Sequence, residues 1–333
     1  MNIVFIYEDF SAPFDEGVKN FAYMVHKTLC ENHNVSLVRD IKILPRILNS
    51  ILLLPRIFLI AGFSAERIVF VPKGALTFTA WVKAWVLSIT YGSTLSIIDV
   101  QRRELSGWQQ YLARKMKLAR VFSMSSPMVN DLANLGVRSS VIISGIDRKR
   151  FAPTGNKKEL RVKYSIPKDK RVVLHVGHVR ESRNVGWLKQ IQQHVSDIQV
   201  VLIGSTTTEQ DDNVFDDLRN AGVIIYRESI DEIQELYQLA DCYCFPILKK
   251  DAAMETPLSI FEAMAANLPV ITTRFGLLPE IFDEDPYFRY VDSVDEMLQE
   301  LNQEFVGICN NRKKTEPFTW QATVEQLIGI YPR

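Results

Sequence analysis

The sequence predicts an α/β protein built from two Rossmann-like parallel-sheet domains. Three observations carry that expectation. Residues 240–273 read as strand, loop, helix, strand; residues 1–38 repeat that grammar; and the apolar runs Arg171–Gly177 and Gln199–Ser205 each lead straight into glycine. At 333 residues the chain has length enough for two cores.

The central unit runs from Ala240 to Thr273. Ala240–Pro246 and Val270–Thr273 are rich in β-branched and aromatic residues, as buried strands are. Between them Thr256 is a good N-cap and Pro257 suits the first helical position, where its missing N–H costs nothing. The helix stops at Asn267, and Pro269 prevents continuation. A helix that follows a parallel strand starts at the carboxyl edge of the sheet, where ligands bind. The free amides of Leu258 and Ser259 and the positive helix end make that point an anion site, most naturally for phosphate. Glu262 lies about 7–8 Å further along the axis. Its carboxylate can reach past the anion and accept hydrogen bonds from a diol, as acidic residues grip nucleotide riboses; the plain alternative is a solvated glutamate.

Composition narrows the classes. Hydrophobic content of 47% and charged content of 23% are those of a globular protein. With 39 basic and 39 acidic residues, no global field recruits nucleic acid. The four cysteines, Cys30, Cys242, Cys244 and Cys309, lack metal-ligand spacing and read as reduced core residues of a cytoplasmic protein. Asp283-Glu284-Asp285 is a weak metal signal in a loop, and no metal or other cofactor is expected.

In chain order, a strand at 1–7 leads through a polar loop to a helix from Gly17 to about Glu31, with Phe21, Met24, Val25 and Leu29 inward, and then to the strand Val35–Val38. The loop lacks Gly-x-Gly-x-x-Gly, so neither NAD nor FAD is inferred. Residues 41–62 are apolar but broken by Lys42, Pro45, Arg46, Pro55 and Arg56, too interrupted to span a membrane. They read either as a buried helix pair or as an amphipathic basic patch making peripheral membrane contact. Strand 67–72, a helix from Leu76 to Ile89 and strand 96–99 follow, the last ending in Asp99-Val100-Gln101-Arg102-Arg103. The structural reading of Asp99 is a strand-end carboxylate paired with Arg102 or Arg103. Strand 119–125, a helix from Ser126 closed by Gly136, and a turn through Gly145 to Pro153 complete the first domain, residues 1–155. The polar run Gly155-Asn156-Lys157-Lys158-Glu159 supplies a linker, with the boundary at 150–168. The second domain, 168–315, places Gly177, His178, Arg180 and Arg183 in a cationic loop after its first strand, opposite the helix end at Thr256. Arg183 offers a planar fork suited to phosphate. Gly204 ends the next strand as a wall for a nucleoside, strand 223–227 ends at Arg227, and residues 316–333 form a closing helix.

Glu255-x-x-Leu258-Ser259-Ile260-Phe261-Glu262-Ala263-Met264-Ala265, followed by Asn267-Leu268-Pro269-Val270-Ile271 and Gly276-Leu277-Leu278-Pro279-Glu280-Ile281, resembles the donor-site signature of family 4 glycosyltransferases of GT-B fold. Gly145-Ile146-Asp147 to Phe151-x-Pro153 is similar to the family's approach to its interdomain linker, and the opening strand–loop–helix to its first unit, where a glycine such as Gly17 lets backbone approach the donor diphosphate or the acceptor. The resemblance is strong in 170–282 and loose in 1–120. It implies two domains facing across a cleft and metal-independent transfer of a sugar, with retention, from a nucleoside-diphosphate sugar, UDP- or GDP-linked, to a glycan, lipid-linked or other acceptor. It further implies a donor site of Gly177, His178, Arg180, Arg183, Gly204, Thr256, Leu258, Ser259 and Glu262, with the base held just after strand 223–227, near Arg227, and a closing helix that crosses back to the first domain.

The pattern departs from the family in three places. Family members carry a histidine near 99; Asp99 is the nearest candidate for handling the acceptor hydroxyl. They place an arginine after the glycine and a lysine five residues on, where this chain has His178 and Arg183; Arg180 can substitute. Six residues separate Glu255 from Glu262 where the family has seven, so Met254 stands at the first glutamate's place. Either Glu255 takes over its contact with the donor sugar, or Asp251 does, or the contact is lost. A noncatalytic nucleotide-sugar-binding partner of such an enzyme and an epimerase on the same fold are the alternatives.

Overall fold

The computed structural model describes residues 1–41, 49, 52–61, 65–205 and 211–329. They form two units. One comprises the described residues of Met1–Gly145, Met254–Thr256 and Trp320–Arg333, the other Ile146–Ala253 and Pro257–Thr319. The chain leaves the first unit at Gly145, ahead of the 150–168 stretch read as linker. That stretch instead carries helix α6 (Lys157–Lys163), which packs in the second unit because Leu160 and Arg161 are buried.

The first unit has six parallel strands, β1 (Asn2–Ile6), β2 (Asn34–Val38), β3 (Arg67–Phe70), β4 (Leu95–Asp99), β5 (Arg120–Ser123) and β6 (Ser139–Val141), in the order β2-β1-β3-β4-β5-β6. Both faces of the sheet are covered, so its inner strands β1, β3, β4 and β5 are near-continuously buried, while the edge strands β2 and β6 are not. Helices α2 (Leu53–Ala61), α3 (Phe78–Tyr91), α4 (Gly107–Ala113) and α5 (Ser126–Ala133) contribute Leu53, Ile57, Trp81, Ala84, Leu87, Ala113 and Leu132 to a single core on this sheet. Helix α1 (Gly17–Asn32) packs with the closing helix α14 (Trp320–Ile328), Phe21 meeting Trp320 at 5.7 Å between ring centroids. Helix α14 is further tied to its unit by Thr323 Oγ1 donating to the Ile143 carbonyl (2.8 Å). Of the 41–62 stretch, residues 42–48, 50, 51 and 62 lie outside the described residues. None of the described helices is long and apolar enough to cross a membrane.

The second unit repeats the architecture with β7 (Arg171–Val176), β8 (Ile198–Ile203), β9 (Ile224–Tyr226), β10 (Cys242–Phe245), β11 (Val270–Thr272) and β12 (Phe288–Tyr290), all parallel, in the order β12-β11-β10-β7-β8-β9. Helices α7 (Gly186–His194), α8 (Asp212–Asn220) and α12 (Val294–Leu301) share a core with β7, β8 and β10, and the short helices α11 (Leu278–Ile281) and α13 (Asn311–Lys314) complete the unit. Helix α9 (Ile233–Leu239) stacks Tyr237 on Tyr243, and helix α10 (Leu258–Ala265) packs Phe261 edge-on against Phe282 and Phe318. The chain order runs outward in one direction from β7 and in the other from β10. These neighbours therefore flank the topological switch point, where an open parallel sheet binds its ligand beyond the strands' carboxyl ends.

Candidate functional site

The loop leaving β7 and the end of β10 are joined at the switch point. Asn184 adopts left-handed backbone (φ 52°), which asparagine tolerates, and its Nδ2 donates to the Pro246 carbonyl just after β10 (2.9 Å). The turn Glu181–Arg183 folds Arg183 back over Gly177. A Cβ on Gly177 would lie 3.2 Å from Arg183 Nη1 and 3.2 Å from His175 Nε2, so only glycine leaves this guanidinium where it is. Gly177→Ala therefore folds but displaces Arg183 by a few tenths of an ångström. We expect nucleoside-diphosphate affinity to fall about tenfold, read by isothermal titration.

The charge of this loop comes from arginine. His178 is half-buried, and burial together with the Arg183 and Arg180 guanidiniums pushes its imidazole down to about 3. It is neutral at physiological pH and offers hydrogen bonds but no cation, which removes it from the charge-bearing role. Arg180 is exposed, while Val179 beside it is buried. Beneath Gly177, His175 is fully buried and pushed down to about 4 chiefly by burial. Its Nδ1 lies 2.9 Å from the Cys244 carbonyl, which can only accept, so Nδ1 carries the proton.

Helix α10 supplies the other half. Its N-cap is Pro257 (φ −67°, ψ 111°), with no side-chain cap, rather than Thr256. The Thr256 hydroxyl is spent elsewhere, donating to the Met124 carbonyl (3.3 Å) within the first unit. The first-turn amides at Leu258 and Ser259 thus have no capping side chain and face the carboxyl edge of the sheet. The Ser259 side chain hydrogen-bonds Tyr243, whose hydroxyl also donates to the Val176 carbonyl (3.4 Å). Tyr237 stacks on Tyr243 with ring centroids 5.9 Å apart and donates to Glu262 Oε2 (2.7 Å). Burial raises the Glu262 carboxyl above its ordinary value, opposed by the Tyr237 hydrogen bond and the Arg150 charge. Glu262 is therefore no solvated surface glutamate: it is buried on α10 and oriented by a tyrosine.

Two further candidates lie along the same edge. Gly204 follows β8, its amide donating to the Tyr226 carbonyl (2.9 Å). Arg227 follows β9, but its guanidinium lies 3.5 Å over the Phe215 ring and pairs with Asp212 (2.6 Å), so that side chain is taken up by α8.

Of the remaining candidates, Gly17, Asp99 and Glu255 belong to the first unit, and Asp251 and Asp285 to the second. Gly17 opens α1, where a Cβ would stand 2.9 Å from Met254 Sδ. Glu255 is buried, its carboxylate accepting from Ser125 Oγ (2.7 Å) and its amide donating to the Val100 carbonyl (3.1 Å). Asp99, at the end of β4, accepts the Leu76 amide (3.0 Å). It is not paired with Arg102, which turns to Asp131 (2.7 Å). Burial, with the Glu255 charge adding, pushes the Asp99 carboxyl up to about 7. Asp99 also lines a pocket walled by Leu76, Trp81, Met128 and Leu132. Asp251 pairs with Lys249 (3.3 Å). Among the described residues no three His, Cys, Asp or Glu side chains converge as metal ligands. Asp285 is engaged by Lys314 and by the Tyr287 and Phe288 amides (2.8 and 2.9 Å).

In one unit, then, the fold brings together Gly177, His178, Arg183, Leu258, Ser259 and Glu262; in the other, Gly17, Asp99, Glu255 and Thr256. Tyr237, Tyr243 and Asn184 escaped the sequence reading as site residues. The inward spacing of Tyr237 was visible, but not that its hydroxyl would meet Glu262.

Residues 170–303 match the family model described as glycosyl transferases group 1. Among curated proteins, the chain is 23% identical over 199 residues to sulfoquinovosyl transferase SQD2 of Arabidopsis thaliana, an alignment covering 55% of this chain and 38% of that protein. It is 24% identical over 228 residues to spore coat protein SA of Bacillus subtilis, covering 59% of each. The chain thus spans well under two thirds of these relatives. Among solved structures, sucrose-phosphate synthase from Thermosynechococcus elongatus superimposes with a TM-score of 0.78 at 14% identity, covering 99% of this chain and 98% of that one. HepE of Anabaena in complex with UDP gives a TM-score of 0.74 at 14% identity, covering 99% of each. The fold is GT-B, as found in glycosyltransferases: two parallel six-stranded sheets with interleaved helices.

Proposed function

We propose that this chain moves a sugar from a nucleoside-diphosphate sugar, UDP- or GDP-linked, to a glycan, lipid-linked or other acceptor, with retention at the anomeric carbon and without a metal ion. The observation that carries the reading is the Arg183 guanidinium held over Gly177 at the switch point of the sheet that also presents the uncapped start of α10. Cleaving the glycosyl–phosphate bond leaves charge on the diphosphate, and preorganised cations and amides aimed at that charge lower the barrier most. Arg183 and the Leu258 and Ser259 amides have that character. Glu262, oriented by Tyr237, is assigned to the ribose diol. The match of 170–303 to the group 1 model and the likeness to a UDP-bound fold support the assignment of donor chemistry to the second unit.

In this reading the first unit receives the acceptor. Asp99, pushed up to about 7, is poised to exchange a proton with an acceptor hydroxyl at neutral pH. The setting is cytoplasmic, with reduced cysteines. One observation favours a second reading, a noncatalytic nucleotide-sugar-binding partner. Met254 stands where the family has its first glutamate, and the Glu255 carboxylate is committed to Ser125. Incubation with UDP- and GDP-sugars and candidate acceptors in EDTA, with the product's anomeric configuration read by proton NMR, separates the two. Transfer with retention supports the first; tight donor binding without transfer to any acceptor supports the second.

A further inference from the structure

Strand β7 reads Arg171-Val172-Val173-Leu174-His175-Val176, and residues 172–174 are buried and apolar. The histidine that follows them is fully buried as well, yet only one of its two nitrogens is accounted for. Nδ1 carries the proton and donates to the Cys244 carbonyl (2.9 Å), so Nε2 keeps its lone pair and can only accept. Among the described residues, Nε2 has no hydrogen-bond partner. A buried acceptor left unpaired destabilises a fold, and in a native protein such a group calls for an explanation. The ring's faces supply none: Tyr243 stacks on it with centroids 6.3 Å apart, and Phe245 lies tilted beside it at 6.2 Å. Nε2 itself lies 3.2 Å from the point that a Cβ on Gly177 would occupy. Arg183 Nη1 lies 3.2 Å from that same point. An acceptor without a donor and a guanidinium rich in N–H donors therefore flank one glycine.

We infer that His175 is a positioning residue for Arg183, its Nε2 accepting an Arg183 N–H when diphosphate occupies the fork. Resting on the reading of Arg183 as a diphosphate ligand, this contact adds what stands behind it. A guanidinium bound to phosphate along one edge still has N–H groups on the other, and an acceptor there fixes the plane of the fork. A neutral imidazole suits the task, because a charged one would repel the arginine. Burial first, and then the Arg183 charge, push His175 down to about 4 against the opposing Cys244 hydrogen bond. Gly177 serves the same end, since its missing Cβ keeps the space between the two nitrogens open.

The test uses two amides that replace opposite nitrogens. His175→Asn keeps a donor where Nδ1 stood and leaves nothing at Nε2; His175→Gln keeps an acceptor near Nε2 and gives up the bond to Cys244. Affinity of the full chain for UDP and for GDP is measured by isothermal titration on both variants, with and without Arg183→Ala. We expect His175→Asn to weaken binding of the nucleotide that the unmodified chain takes about tenfold, the scale of one hydrogen bond to a charged group. His175→Gln should retain most of that affinity. With Arg183→Ala in place, His175→Asn should cost nothing further, since a residue that acts through another is silent once its partner is gone. A purely structural histidine reverses the ranking of the amides, because the Cys244 bond survives in asparagine, and its effect adds to that of Arg183→Ala. Either result, or full affinity in His175→Asn, would overturn this role for His175. Binding of neither nucleotide, or full affinity in Arg183→Ala, would instead overturn the reading of Arg183, and the role of His175 with it. Where Arg183→Ala binds too weakly to titrate, the ranking of the amides decides alone. If His175→Asn fails to fold, His175→Met, which fills the core and also lacks the acceptor, takes its place.

Discussion

Replacing Arg183 with alanine should lower sugar transfer on the order of 10²–10³-fold, the scale of removing one preorganised group that stabilises charge developing in the transition state. The geometry makes this arginine hard to replace. It sits over Gly177 because that residue has no Cβ, and Asn184 directly after it fastens the turn to the end of β10. His178 in the same loop is pushed down to about 3 chiefly by burial, which the substitution leaves in place, so it is a poor substitute for the lost charge. Lysine should restore only part of the loss, because a point charge lacks the planar fork. The check is steady-state kinetics of donor turnover on the alanine and lysine variants. A loss in kcat as well as in donor affinity marks an interaction that strengthens in the transition state. A rise in KM alone would reduce Arg183 to a binding residue.

The largest stability effect is expected at Asp241, just before β10. Its Oδ2 accepts the Val172 amide (2.7 Å) and the guanidinium of buried Arg161, and its Oδ1 accepts Lys157 Nζ (2.8 Å). Arg161 also donates to the Leu239 and Lys170 carbonyls (3.2 and 3.1 Å), so the cluster fixes α6 to the rim of the second sheet. Asp241→Ala leaves a buried guanidinium without its counter-charge, which costs about 3 kcal/mol, measurable as a lower denaturant midpoint. Burial alone would raise the Asp241 carboxyl, but the Lys157 hydrogen bond and charge, the Val172 amide and Arg161 outweigh it and hold it below the ordinary value. A depressed carboxyl contributes stability that is present above its unfolded pKa, about 4, and is lost as pH falls through its folded value. The unmodified protein should therefore lose this increment on acidification below about pH 4, and the alanine variant should not.

Much of this was legible in the sequence because it rests on local grammar. Strands ending in glycine, the helix after residue 257 and the boundary at Asn267 follow from propensity and backbone chemistry. Asn267 does adopt positive φ, at 61°. What local grammar could not show was where side chains spend their hydrogen bonds. Thr256 has the right chemistry for a cap, yet tertiary structure offered its hydroxyl the Met124 carbonyl instead. Arg227 is a plausible nucleotide contact until Phe215 and Asp212 claim it. The polar run at 155–159 reads as linker, but the helix that follows has its own buried anchor in Arg161, an arginine that composition alone marks as surface. Tyr237 was placed inward by helical spacing, while its partnership with Glu262 across 25 positions depends on two helices packing side by side.

The central claim, a diphosphate site made by Arg183 and the start of α10, is tested most directly by thermal unfolding in EDTA with UDP, GDP, ADP and their sugar conjugates, on the unmodified chain and on Arg183→Ala. Ligand at 100 times its dissociation constant adds about 2.7 kcal/mol, enough to raise the midpoint by several degrees at roughly 2 °C per kcal/mol. The account predicts such a shift with the nucleotides of one base, and its loss in Arg183→Ala. No shift with any nucleotide, or a shift that Arg183→Ala retains in full, would contradict it.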